Sequence, residues 1–212
     1  MGKLSIENPF FEFMGRLGDW MILNVLFVLT SLPVVTIGMS TAALYRVTLR
    51  MIRKESLYVA REYLQACKEE WRKATGMWLF FLFSGAILFF DLLYAGNMWS
   101  GLNLGLGVLM ILWSFLLCYA FPVQAQFDNT IANTMKNALY LSVRHLPFTI
   151  VMTLLNAIPL FCMLLGSFYV VMIIPIYLLV GFFFTARING IFLIRIFRPY
   201  VEGRGAGKKE MA

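Results

Sequence analysis

The sequence predicts an all-α protein: a polytopic transmembrane helical bundle of about five spans with amphipathic cytoplasmic helices. Three observations carry that expectation. Hydrophobic residues fill 60% of the 212 positions and charged residues 14%, whereas soluble domains are nearer half apolar and a quarter charged. Mean hydropathy is +0.77, and the chain holds 20 Phe, 13 Met, 9 Tyr and 5 Trp. Finally, the 18 Lys and Arg are clustered: eight lie between Arg46 and Lys73, six follow residue 186, and none falls in 20–45, 74–121 or 146–186. Cations that punctuate apolar runs mark membrane loops. A nucleic-acid binder would gather a net charge of +7 into a basic face with polar or aromatic readers, so nucleic acid is not an expected partner.

The first apolar run is Trp20–Gly38, just long enough for a bilayer core of about 30 Å. The segment before it has two basic and three acidic residues, unlike the cationic start of a signal peptide, so a retained helix is expected. Myristoylation is not expected, because position 6 is Ile. Further runs are Gly76–Tyr94, Leu102–Phe121, Leu146–Gly166 and Ser167 to about Ala186. The uncharged turn Ala95–Gly101 joins the second and third, and Gly166–Ser167 is the only break between the last two. Placing every basic segment in the cytoplasm puts the N-terminus outside and the C-terminus inside. Residues 1–200 are expected as one transmembrane domain and 201–212 as a disordered basic tail. That tail fails the phosphate-loop pattern, since Lys208 is followed by Lys209.

Between the first and second runs, Ser40 or Thr41 can cap a helix through Arg53. Arg46, Arg50 and Arg53 then share one face. Ser56 can cap a second helix that continues without proline into the second run. Residues 128–146 read as another amphipathic helix, carrying Lys136 and Arg144. The basic cluster and this helix suit either lipid-surface attachment or a cytoplasmic partner, and Arg72 joins them at the membrane entrance. A shift of 72 positions aligns Ala60, Ala66 and Arg72 with Ala132, Ala138 and Arg144, a weak internal repeat.

Within the spans, Pro33 breaks or kinks a helix, and Gly38 weakens the next turn. Backbone groups freed there need partners, and Thr30, Ser31 and Thr36 are suited to supply them. The segment is either a discontinuous helix lining a site or a kink healed by hydroxyls; the kink is the simpler account. Asn24 and Asn156 are expected to hydrogen-bond between helices, and Asp91 to sit solvated near a span end. Cys67, Cys118 and Cys162 form no ligand or disulfide pattern with the lone His145. Neither a metal nor any cofactor is expected. No nucleophile, acid/base or metalloprotease constellation is legible, so the protein is expected not to be an enzyme.

Asn8-Pro9-Phe10, Asp19, Leu23-Asn24, Ser31 through Gly38 and Ser40 through Tyr45 resemble the YesL-like family of small bacterial membrane proteins, a domain of unknown function. The likeness is specific over about residues 8–53. It is echoed in Lys68, Arg72-Lys73-Ala74-Thr75 and in Phe197 with Tyr200. The resemblance implies several membrane helices, no assigned activity and, by genomic association, an accessory role beside carbohydrate ABC importers. It draws attention to Asn8, Pro9, Phe10, Asp19, Asn24, Ser31, Pro33, Thr36 and Gly38 as binding residues. The expected function is therefore a non-enzymatic accessory subunit in the bacterial plasma membrane, in contact with lipids and a carbohydrate ABC permease. The alternatives are a small transporter or channel, which would need a homo-oligomer to enclose a pore, and a membrane-surface scaffold or sensor.

Overall fold

The computed structural model describes residues 9–95, 100–127, 129–164, 175 and 177–209. Those residues form α1 (Pro9–Ser31), a short 3-10 turn (Val34–Thr36), α2 (Ile37–Ile52), α3 (Val59–Ala95), α4 (Ser100–Gln126), α5 (Ile131–Arg144), α6 (Leu146–Leu164), a π-helical segment (Tyr177–Gly181) and α7 (Phe182–Lys209). Residues 201–209, expected as a tail, continue α7. Asn8, the turn residues 96–99 and the break at Gly166–Ser167 lie outside the described residues.

The first expected run is broken, and α1 is not among the helices long and apolar enough to cross a membrane. α1 stops at Ser31 because Leu32 precedes a proline, and a residue in that position is driven away from helical angles. Pro33 itself is extended, with φ −74° and ψ 120°. The chain then reverses through the 3-10 turn, and α2 runs back along α1. Ser40 bonds Thr30 near the tip, while Arg16 and Asp19 share a cavity with Met51, Ile52 and Lys54 at the base. Residues 16–20 and 51–54 therefore lie at the same end of a helical hairpin. A crossing with the N-terminus outside requires them at opposite ends. The apolar stretch of α1 from Trp20 to Ser31 would extend only about 18 Å at 1.5 Å per residue, too short for the bilayer core.

Among the described residues, three helical stretches are long and apolar enough to cross a membrane: Val59–Tyr94, Asn103–Gln126 and Tyr177–Tyr200. There are four if Ile131–Arg144 and Leu146–Pro159, bent by 107°, count as one broken span. α3 is a single unbroken helix of 37 residues, as the absence of proline predicts. The stretch related to it by the 72-residue shift is instead broken at His145, which leaves the helix with φ −117° and ψ 43° just ahead of Pro147. Thr149 holds that corner: its Oγ1 lies 2.8 Å from the Ser142 carbonyl, 3.0 Å from the His145 carbonyl and 3.1 Å from the Tyr119 hydroxyl.

α2 is the core of the assembly and packs against α1, α3, α4 and α7. Ala42, Ala43, Leu44, Tyr45, Val47 and Leu49 are all buried. Its basic cluster was expected at a lipid surface or against a cytoplasmic partner, but the helix carries apolar residues on nearly every face, which suits enclosure. Gly38 fixes how closely it meets α3. A Cβ there would lie 2.4 Å from the Trp78 Cβ and 2.5 Å from the Ala74 carbonyl oxygen. α2 ends in a Schellman motif, with the Glu55 N–H donating to Arg50 O (3.2 Å) and the Lys54 N–H to Met51 O (3.1 Å). Lys54 occupies the position that usually holds glycine and has φ 59°. That left-handed conformation costs an ordinary residue about 1 to 2 kcal/mol.

Candidate functional site

The hairpin tip is closed by hydroxyl groups. Thr30 Oγ1 lies 2.8 Å from the Leu26 carbonyl, 2.5 Å from the Tyr63 hydroxyl and 2.9 Å from Ser40 Oγ. With Thr30 donating to its own helix, Tyr63 and Ser40 are left as donors to it. Thr36 Oγ1 reaches the Thr30 carbonyl (2.6 Å) and the Pro33 carbonyl (2.8 Å). The Trp78 indole donates to the Val34 carbonyl at 2.7 Å. Thr36 thereby satisfies the Thr30 carbonyl, one of those left free where α1 ends. Ser31 does not join them, and its buried Oγ has no hydrogen-bond partner. The tip itself is apolar and open, with Leu32 72% and Val34 57% exposed.

Asn24, fully buried on α1, bonds the start of α7. Its Nδ2 donates to the Leu178 carbonyl and its Oδ1 accepts the Phe183 N–H at 2.9 Å. In a π-helix those two backbone groups, five residues apart, would bond each other. The carboxamide stands between them and satisfies both, which also fixes its orientation.

A second polar group converges where α2, α4, α6 and α7 meet. Asn189 Nδ2 lies 3.2 Å from the Tyr45 hydroxyl and 3.2 Å from Asn156 Oδ1. Asn156 Nδ2 lies 3.2 Å from the Cys118 sulfur. Asn189 Oδ1 and Thr153 Oγ1 are buried without a partner. Tyr45, Cys118, Thr153 and Asn156, with Thr41 and Ser114, line a cavity of about 350 Å³ whose other walls are apolar. No charged side chain lines it, so its polar walls offer hydrogen bonds to a neutral molecule. Asn156 was legible as an interhelical residue, whereas Asn189 was missed because the apolar run was taken to end at Ala186.

At one end of the bundle, Arg46, Arg50 and Arg53 do share a face of α2. That face is turned to other side chains of the protein. Arg46 Nη1 pairs with Glu69 at 2.7 Å and lies 3.8 Å from Glu70. Arg50 bonds Glu55 at 2.6 Å and also Glu62. Arg53 Nη2 donates to Gln126 Oε1 at 2.6 Å. Buried Gln124 ties three helices together, donating to Glu70 (3.0 Å) and accepting from Thr134 (2.8 Å). The three arginines, Glu55, Glu69, Glu70, Gln124 and Gln126, with Lys73, surround a cleft of about 570 Å³. Its acidic side, Glu55, Glu69 and Glu70, was not foreseen.

The remaining expected site residues are dispersed. Arg72 lies over its neighbour Trp71 at 5.5 Å, and Arg144 over Tyr140 at 5.6 Å. Lys136 is exposed on α5, and Asp91 is exposed near the end of α3. Pro9 and Phe10 open α1. Asp19 stands beside the α2–α3 connection, and burial raises its carboxyl above the usual range. Among the described residues, no three His, Cys, Asp or Glu side chains converge as metal ligands.

Fold and sites together define an all-helical protein with several helices long and apolar enough to cross a membrane. Residues 20–92, about a third of the chain, match the model of a family described as a protein of unknown function, DUF624. The match takes in most of the α1–α2 hairpin and nearly all of α3. No curated protein and no solved structure matches the chain significantly.

Proposed function

We propose that the chain is a non-enzymatic, multi-pass protein of the bacterial plasma membrane that serves as an interaction subunit of a carbohydrate ABC importer, with its charged cleft meeting the transport machinery. The observation that carries this reading is the division of its polar chemistry. Most polar side chains between the apolar helices join helix to helix, as Asn24, Asn156 and Thr149 do. Arg46, Arg50, Arg53, Glu69, Glu70 and Lys73 gather charges of both signs in one cleft, where complementary charge favours recognition of a partner over catalysis. The sugar importer itself rests on the resemblance of residues 8–53 to YesL-like proteins.

In the same reading α1 and α2 enter and leave by the cytoplasmic face, with the tip at Leu32–Val35 in lipid, while α3, α4, α6 and α7 cross. Both ends of the chain are then cytoplasmic, and α5 lies along the inner surface. Purification in mild detergent from cells grown on different sugars tests the partner. Recovery of permease or ATPase subunits, reduced by Glu69→Lys, is expected. Recovery of none across sugars and detergents would refute it.

A transporter is the second reading, favoured by the uncharged cavity beside Tyr45 and Asn156. Solute flux in proteoliposomes containing this protein alone, lowered by Asn156→Leu, would establish it. Liposomes that stay impermeable to neutral sugars and polyols would remove it.

A further inference from the structure

The base of the hairpin carries a different set of cations from those the sequence singled out. Arg16 on α1, Lys54 after α2 and Arg187 on α7 line one cavity of about 680 Å³, together with Asp19, Trp20 and Glu55. Glu55 is already bonded to Arg50 at 2.6 Å. Arg187 lies 5.1 Å over the Trp20 ring and 6.0 Å from that of Phe183, an arrangement that fixes a guanidinium without neutralising it. Lys54 is held at φ 59°, a conformation glycine would adopt freely, so the position keeps a charged side chain against a backbone preference. Strain of this kind points to a role for the side chain.

Trp20 also lines a second cavity, of about 530 Å³, with Leu17, Met21, Tyr177, Val180 and Phe184. The two share one wall. One carries three cations against two carboxylates, and the other is apolar and lies between α1 and the π segment with the first turn of α7. A ligand that fills both has an anionic head and a hydrocarbon tail.

We infer that this paired cavity binds one anionic glycerophospholipid, with its phosphodiester between Lys54 and Arg187 and an acyl chain along Met21, Val180 and Phe184. A basic pocket between helices at the cytoplasmic leaflet suits such a headgroup. Trp20 sits at the junction of head and tail, where indole rings favour the membrane interface. The inference rests on the cytoplasmic-face placement of the hairpin, and it does not depend on an importer partner.

The test uses the full chain in a neutral detergent, with dioleoyl phosphatidylglycerol as probe and its phosphatidylcholine counterpart as control. Thermal unfolding and native mass spectrometry are the readouts. The anionic lipid is expected to raise the Tm by several degrees and to remain bound after detergent removal, at least tenfold more tightly than the zwitterionic one. Lys54→Gly removes the charge and relieves the backbone, so it should fold well yet bind the lipid several-fold more weakly. Arg187→Gln should act in the same direction, and Met21→Gln should weaken the tail. Equal binding of the two lipids would overturn the inference. So would undiminished binding to the folded Lys54→Gly protein. Glycerol 3-phosphate matching the lipid's effect would also overturn it, since the site would then read the head alone.

Discussion

The side-chain oxygen of Asn24 accepts the backbone N–H of Phe183 at 2.9 Å, and the nitrogen of the same carboxamide donates to Leu178. One side chain thereby completes the hydrogen bonding of another helix's π segment. Removing it strands a donor and an acceptor in an apolar interior, at about 1 to 3 kcal/mol for each group. Asn24→Leu should therefore destabilise the protein by roughly 2 to 6 kcal/mol. If the freed groups close a π-type bond with each other, the loss shrinks toward the lower figure. Thermal unfolding in detergent measures it, and a loss below half a kilocalorie would show that the carboxamide is not needed.

Gly38 and Gly107 make a matched pair. A methyl group at Gly38 would meet backbone at 2.5 Å, whereas Gly107 has nothing within 4 Å of the same position. Gly38→Ala should cost at least the 1 to 3 kcal/mol typical of overpacking, because the Ala74 carbonyl has no freedom to turn aside. Gly107→Ala should be neutral or stabilise by up to about 1 kcal/mol through helix propensity. Comparing their unfolding temperatures checks the close crossing of α2 and α3.

The ion pairs of the cleft should contribute little to stability. Arg46 and Glu69 are 34% and 43% exposed at their side chains, and pairs of that kind contribute about 0 to 1 kcal/mol. Arg46→Gln should therefore fold almost normally and show reduced partner recovery. A large drop in Tm would mean that the cleft is architecture instead of an interaction surface. Glu69→Arg combined with Arg46→Glu restores the pair with reversed polarity, so it separates the two roles.

The hairpin makes a topological prediction. In a background with the natural cysteines replaced, Arg16→Cys and Ser56→Cys should react from the same side of the membrane, and Val35→Cys should be shielded from soluble maleimides on both sides. Labelling of Arg16→Cys from the exterior alone, with Ser56→Cys from the cytoplasm alone, would restore a crossing first helix.

The long elements were legible because their signals are local. Apolar length identified α3 and α4, and the unbroken run from Ser56 onward identified the continuity of α3. The turn at Pro33 was legible as a break, but not as a reversal. A proline removes one donor and one conformation, and the same residues serve a kink or a hairpin until the fate of α1 beyond Trp20 is known. The arginine face of α2 was likewise correct in register and incomplete in surroundings. Spacing along one helix says which side chains share a face, but says nothing of the Glu69, Glu70 and Gln126 that meet it. Asn189 and Gln124 were not legible for a related reason: each lies three residues past the end of an expected apolar run, where a polar side chain is unremarkable in one dimension.

The unbroken length of α3 has a mechanical consequence. Its first half holds Glu69 and Glu70 in the cleft, and its second half exposes Phe83, Phe89 and Phe90. No proline, bulge or loop interrupts the rod between them. A tilt imposed by whatever grips the acidic end is inherited at full amplitude by the opposite end, like a lever pivoting where Gly38 lets α2 press against it.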